Sequence, residues 1–234
     1  MSLLRIIELD PFAPTTIRDP AKAIDDHLAD SLVALRCEQA RIVGTIADLG
    51  TGAGFPGLPL AIARPDAAVS LVESSVRKCA FVRRAVTACG LENVYVIHAR
   101  AEQWPEARAA FDLVTARALA SLAVVAEYAA PLLCIGGALI AWRGRRDRAG
   151  ERAGAIAAGQ LGLEAREPVR VEPYEGAERR YLQVMVKVSE TPARFPRRPG
   201  MARKHPLGAS PGRAREAGSR TDGRNSETGE AWGL

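Results

Sequence analysis

Long apolar runs are missing from this chain. None approaches the ~18 residues that a membrane-spanning helix needs. The first ten residues, MSLLRIIELD, pass from a short apolar stretch to acids without a signal-peptide layout. A cytoplasmic protein is expected. Aromatic residues are few, at 5%. Only four cysteines occur, Cys37, Cys79, Cys89 and Cys134; none forms CxxC, and their spacing matches no zinc pattern. They are expected to be reduced thiols in a reducing compartment, with no metal site. No nucleophile-plus-base constellation stands out either. Excess charge is small, +5, and it is concentrated at one end. Nine basic and four acidic residues follow from Arg194 onward, while residues 1–193 carry 23 of each sign. That basic arm is open between a phosphate-contacting element and a solvated tail.

What is present is an ordinary globular composition, 47% apolar and 25% charged over 234 residues, enough for one α/β domain. The chain is organised around residues 47–57, ADLGTGAGFPG. A β-branched run over 42–47 predicts a buried strand ending at Asp48. Glycines at 50, 52, 54 and 57 follow, and then the helical pattern Leu58, Leu60, Ala61 and Ile62. Glycine suits a sharp turn with positive φ and a close ligand approach, and the helix start offers free N–H groups. Gly52, Gly54 and Gly57 also spell GxGxxG, the dinucleotide fingerprint, which is weak when it stands alone. Asp48 on the strand and Pro56 in the turn point away from it.

Further strands are expected at 67–73, 93–98, 111–116, 138–142, 169–171 and 181–188, alternating with helices at 76–89, 121–133 and 145–161. Ser74 or Ser75 caps the helix over 76–89 and Gly90 stops it. Alternation that ends in two successive strands predicts a doubly wound sheet with a C-terminal hairpin, and not an all-parallel dinucleotide fold. Glu73 ends the second strand, where a carboxylate can accept both ribose hydroxyls of a nucleoside. Arg117 ends the fourth strand, and its residue type leaves it open between a ligand contact and a pair with a local acid. Glu102 is open between a ligand contact and a helix-start carboxylate. Asp19-Pro20 starts a helix in which Ile24, His27/Leu28, Ser31/Leu32 and Leu35 recur.

ADLGTGAGFPG resembles the first motif of S-adenosylmethionine-dependent methyltransferases. GTGAGFPG is similar to that of the small-subunit ribosomal RNA guanine-N7 methyltransferases, the RsmG or GidB family. TTIRDP at 15–20 and HLADSL at 27–32 resemble two more of its stretches, and PRRPG at 196–200 and KHPL at 204–207 resemble its closing segment. Pro14-Thr15-Thr16 stands where the family has Asn-Leu-Thr, so a shortened or remodelled N-terminal lobe is expected. The resemblance implies a Rossmann-like methyltransferase fold: a mostly parallel seven-stranded sheet with a C-terminal antiparallel hairpin. Its parts are an N-terminal helical extension (1–40), a cofactor domain (41–190), a basic segment (191–207) and a disordered tail (208–234).

The implied activity is methyl transfer from S-adenosylmethionine to N7 of a guanosine in 16S ribosomal RNA, by a monomer without membrane association. Among the implied cofactor residues, Asp48 belongs to the motif, and Gly50, Gly52 and Phe55 shape the methionine pocket. Glu73 holds the ribose, Ala101 and Glu102 flank the adenine, and Arg117 closes the site. His27, Arg197, Arg198 and Lys204 are candidates for placing RNA. The alternatives are an NAD(P)-dependent oxidoreductase and a catalytically inactive ribosomal RNA-binding module.

Overall fold

Ser2 caps the first helix, α1 (Leu3–Leu9), by accepting the Arg5 N–H. The computed structural model describes residues 2–208; the expected tail lies outside them except for Gly208. Arg18 of the IRDP stretch donates to the carbonyls of Asp10, Pro11 and Ala13 at 2.9, 3.3 and 3.5 Å, knotting the loop that follows α1. Helix α2 (Pro20–Ala23) begins as its residues predict: Asp19 accepts the Lys22 N–H at 2.8 Å and Pro20 takes the first position. A π-helical turn, Ile24–Ala29, then leads into α3 (Asp30–Leu32). The wider turn rotates the buried face. Ile24, expected inside, is 48% exposed, while His27, Asp30 and Ser31 are buried.

The sheet starts with β1 (Thr45–Leu49), then α4 (Gly57–Ala63), β2 (Ala68–Glu73), α5 (Val76–Cys89), β3 (Val94–His98) and β4 (Phe111–Arg117). Helix α6 (Leu122–Ala129), β5 (Leu133–Arg143), α7 (Arg148–Gln160), β6 (Leu163–Ala165), β7 (Val169–Val171), β8 (Arg180–Lys187) and α8 (Met201–Lys204) complete it. The strand order is β3-β2-β1-β4-β5-β8-β6, with β7 also paired to β8. β1 to β5 run parallel, and β8 enters antiparallel beside β5. β6 and β7 lie along one edge of β8, in effect a single edge strand interrupted near Pro168, which has no N–H for a ladder. This is the expected sheet with its C-terminal hairpin, and the antiparallel β8 sets it apart from the six-strand parallel dinucleotide order.

Three boundaries differ from the sequence reading. Ile42, taken as the start of β1, is 93% exposed. The strand begins only where the Asp112 carboxylate accepts the N–H groups of Gly44 and Thr45, each at 2.9 Å. The helix expected to reach Leu133 stops at Ala129, because Pro131 cannot continue it. β5 therefore starts at Leu133, not at Ala138 as expected, and passes through Gly136-Gly137 with a register shift against β4.

The sheet's two faces bury separate cores. Ile46, Leu71 and Leu113 pack under α1, α4 and α5; Ala47, Val114 and Leu139 pack under α6 and α7. Buried Lys187 sits where α6 and α7 end, donating to the carbonyls of Ala130 and Leu161 at 2.8 and 3.2 Å and to the Thr191 hydroxyl. A cation at two helix C-termini is favoured by their dipoles. Among the described residues, no helix is long and apolar enough to cross a membrane.

Candidate active site

The strand order reverses between β1 and β4, so a crevice opens outside the carboxyl ends of β1 to β4. The glycine loop forms its floor. Asp48, fully buried, accepts the Gly57 N–H at 3.1 Å and the Thr115 hydroxyl at 2.9 Å, fixing both ends of the loop to β4. Burial pushes its carboxyl pKa up, opposed by the hydrogen bonds from Thr115 and Gly57. Gly57 is glycine because a Cβ there would lie 2.1 Å from Leu71 Cδ2 and 2.9 Å from Asp48 Oδ2. Gly52 has φ 61°, a backbone few side chains tolerate, although a Cβ there would meet only the Gly50 carbonyl at 3.8 Å.

Most of the loop's backbone donors are taken, although the buried Thr51 hydroxyl has no partner among the described residues. The N–H groups of Gly50 and Thr51 go to the Val72 carbonyl, Gly54 and Phe55 to that of Thr51, Leu58 to that of Gly54, Gly52 to Glu73 and Gly57 to Asp48. Pro56 has none to give. The free N–H groups expected at the helix start are thus occupied, and the cradle that a dinucleotide pyrophosphate requires is not formed.

Glu73 is 6% exposed, with Oε2 accepting the Gly52 N–H at 3.2 Å and Oε1 the Ser75 N–H at 2.9 Å. Its neighbours Val72 and Ser74, though not Glu73 itself, line a cavity of about 260 Å³ together with Gly50, Ala101, Glu102, Tyr128 and Arg203. Gly50, Ala101 and Glu102, distant in sequence, meet there as expected. Ala118 turns the chain into this cavity at φ 54°, a strained conformation for a residue with a Cβ.

A second cluster lies beneath the N-terminal segment. The His27 ring stacks on Phe55, with centroids 4.3 Å apart and planes 13° apart. The Arg117 guanidinium carbon sits 5.4 Å from the Phe55 centroid. Arg117 Nη1 donates to Asp30 Oδ2 at 2.9 Å and to the Asp26 carbonyl at 3.0 Å, and Nη2 lies 3.5 Å from His27 Nδ1. His27 Nε2 is 2.9 Å from Thr15 Oγ1. With Arg117 a pure donor, Nδ1 is the acceptor and Nε2 carries the proton. Of the two roles left open for Arg117, the geometry shows the pair with a local acid, Asp30, with the guanidinium also over Phe55. Asp30, which sequence reasoning passed over, stands in the HLADSL stretch, and Trp142 Nε1 holds its carbonyl at 2.7 Å.

His27 is thus inside, 7% exposed, and not on an outer surface. Burial, then the neighbouring Arg117 cation, lowers its pKa below 6.5. The unfolded chain therefore takes up the proton first as pH falls, and this residue's contribution to stability is lost through and below pH 6.5. Denaturant unfolding at pH 7.5 and pH 5.5 is expected to show a larger drop for the natural chain than for His27→Gln. Equal drops would show that His27 is not neutral in the fold.

Of the four residues expected to place RNA, Arg198 and Lys204 are exposed. Arg197 is spoken for: Nε and Nη2 grip both oxygens of Glu127 at 2.9 and 2.6 Å, and its own N–H adds a bond at 3.1 Å.

The model of the family described as rRNA small subunit methyltransferase G (GidB) matches residues 12–165 of this sequence. The chain belongs to that family. Ribosomal RNA small subunit methyltransferase G of Pelotomaculum thermopropionicum is 40% identical over 197 residues, 82% of each chain. The protein of the same name from Chloroflexus aggregans is 42% identical over 209 residues, 86% of this chain and 85% of that one. A solved SAM-dependent methyltransferase from Aquifex aeolicus, 18% identical, superposes with a TM-score of 0.57 over 80% of this chain and all of its own, a likeness of fold alone. The GidB family stretch contains the glycine loop, Glu73, Ala101, Glu102 and Arg117, and ends before the segment that bears Arg197 and Arg203. Arg203 went unnoticed in the sequence because nothing in RKHPL marks which base turns inward; the left-handed Gly200 that starts α8 decides it.

Proposed function

We propose that this chain transfers a methyl group from S-adenosylmethionine to N7 of a guanosine in 16S ribosomal RNA, as a cytoplasmic monomer acting on the small ribosomal subunit. The observation that carries the reading is the crevice at the carboxyl ends of β1 to β4, where the glycine loop, the end of β2 and the Ala101-Glu102 loop meet around one cavity. The residues present fit the cofactor's nucleoside half. Acceptors, Glu73 and Glu102, stand where a nucleoside offers hydroxyl and amino donors, and Ala101 leaves space for a flat ring. Glu73 would hold the ribose, Ala101 and Glu102 the adenine, and Gly50, Gly52 and Phe55 the methionine part. When bound, the cofactor supplies a sulfonium methyl as electrophile.

The chain's own task is orientation. Guanine N7 has a lone pair and no proton at neutral pH, so the attack needs no general base, and alignment can supply as much as about 7–11 kcal/mol. Asp48 fixes the loop, and Asp30 and Arg117 hold Phe55 from above. His27, stacked on that ring, serves as a positioning residue, while exposed Arg198 and Lys204 remain to meet phosphates.

The test supplies S-adenosylmethionine with a labelled methyl to unmodified small subunits and digests the RNA to nucleosides. Label in 7-methylguanosine is expected. Cofactor binding without label would make the chain a ribosomal RNA-binding module. Absence of both, with a fluorescence response to NADH, would restore the oxidoreductase reading. Glu73→Ala is expected to weaken S-adenosylhomocysteine binding at least tenfold in calorimetry; unchanged affinity would remove the ribose role.

A further inference from the structure

The cavity has one wall that the family match does not reach, and it is made by the C-terminal segment folding back. Phe195 is buried, and Arg108 fastens the backbone around it, donating to the carbonyls of Phe195 and Thr191 at 3.3 and 3.2 Å. Arg197 then clamps Glu127 on α6. Buried Ala202 seats α8 against the helix layer. This leaves Arg203 on the cavity wall beside the buried Tyr128, where Nη2 donates to the Leu119 carbonyl at 3.1 Å. Among the described residues, no carboxylate comes within 4.0 Å of Arg203, in contrast to Arg197, Arg117 and Arg146. A planar cation hydrogen-bonded to the Leu119 carbonyl, with no carboxylate partner among the described residues, thus lines the same cavity as Gly50 and Ala101.

Two chemistries suit such a guanidinium: the face of an aromatic ring and a phosphate. The surroundings favour the ring. Arg203, though exposed, lines the cavity and is tied to the Leu119 carbonyl, whereas Arg198 and Lys204 on the same segment do not line it. Glu102 shares the cavity, near enough to Tyr128 to act on its hydroxyl, so an added anion there would meet a carboxylate. A neutral purine has an amino group to give Glu102 and a face to give Arg203.

We propose that Arg203 is a cofactor-binding residue, the outer wall of the nucleoside pocket, stacking its guanidinium plane on the adenine ring. The proposal rests on the reading that this cavity takes S-adenosylmethionine. It predicts that the C-terminal segment is a working part of the cofactor site and not solely an arm for RNA.

The test is calorimetry on the full chain with two probes, S-adenosylhomocysteine and 5′-methylthioadenosine, the second lacking the amino-acid part. Arg203→Ala is expected to weaken both about tenfold and by the same factor. Arg203→Lys, which keeps the charge and loses the plane, is expected to recover little. RNA affinity and its salt slope should not move. Unchanged affinity for both probes would overturn the assignment, as would a loss confined to S-adenosylhomocysteine. A salt slope lowered by about one with cofactor affinity intact would make Arg203 a phosphate contact and also overturn it. Failure of the unaltered protein to bind either probe would sink the underlying reading and this assignment with it, whereas a loss seen only in the variant bears on Arg203 alone. Arg203 is exposed, so its truncation is compatible with folding, and a thermal melt of each variant checks this.

Discussion

Asp48→Ala is expected to cost about 3 kcal/mol in urea unfolding and to abolish measurable cofactor binding, whereas Asp48→Asn keeps the fold. The carboxylate has no exposed surface and satisfies two donors, the Gly57 N–H at the far end of the loop and the Thr115 hydroxyl on β4. Alanine strands both of them in the interior. Each buried polar group left unpaired costs about 1–3 kcal/mol, and the emptied space adds to that. Asparagine has the same outline. Its carbonyl can accept from Gly57 and its amide can donate to the Thr115 oxygen, because the hydroxyl turns to suit. Burial already favours the uncharged carboxyl, so the loss of charge should matter little. The contrast separates the two roles open to Asp48. If Asp48 were a ligand contact, the asparagine variant would bind as poorly as the alanine variant; a loop anchor leaves it near the natural affinity.

That anchor explains why the glycine motif could be read correctly for the wrong detail. Strand, turn and helix, with glycine at 50, 52, 54 and 57, are local and periodic, and all were legible. So were Asp19 and Ser75 as caps and Gly90 as a stop. What the motif does with its N–H groups was not legible, since Val72, Glu73 and Asp48 take them only once β1 and β2 lie side by side. The same distance hides the pairs that shape the site. Arg117 finds Asp30 87 residues away, and Arg197 finds Glu127 across 70. A charged residue at a strand end or between prolines looks uncommitted in sequence, because its partner belongs to another layer of the fold. Ile24 misled for a different reason: helical spacing assumes a uniform turn, and the π-turn at Ile24–Ala29 shifts which residues face inward.

Arg197 shows what that hidden partner does to an expected role. Arg197→Met is expected to lose about 3 kcal/mol, a change large enough to move the urea midpoint with no RNA present. Glu127 is 1% exposed, and removing its partner leaves a buried carboxylate with one backbone N–H to hold it. Breaking such pairs from one side typically costs about 3–5 kcal/mol; the lower end applies because the Arg197 side chain is 24% exposed. Replacing both residues, Glu127→Leu with Arg197→Met, should return most of that stability, since no uncompensated charge remains. Arg198→Ala should leave the urea midpoint alone, within about 0.5 kcal/mol, and lower the salt slope of RNA binding by about one. If Arg197→Met instead weakened RNA binding at unchanged stability, the clamp would be secondary and the arginine a phosphate contact after all. The clamp also reaches the cofactor. It seats the segment from which Arg203 enters the cavity, so Arg197→Met should weaken S-adenosylhomocysteine binding even though Arg197 touches no part of that cavity, and Arg198→Ala should not.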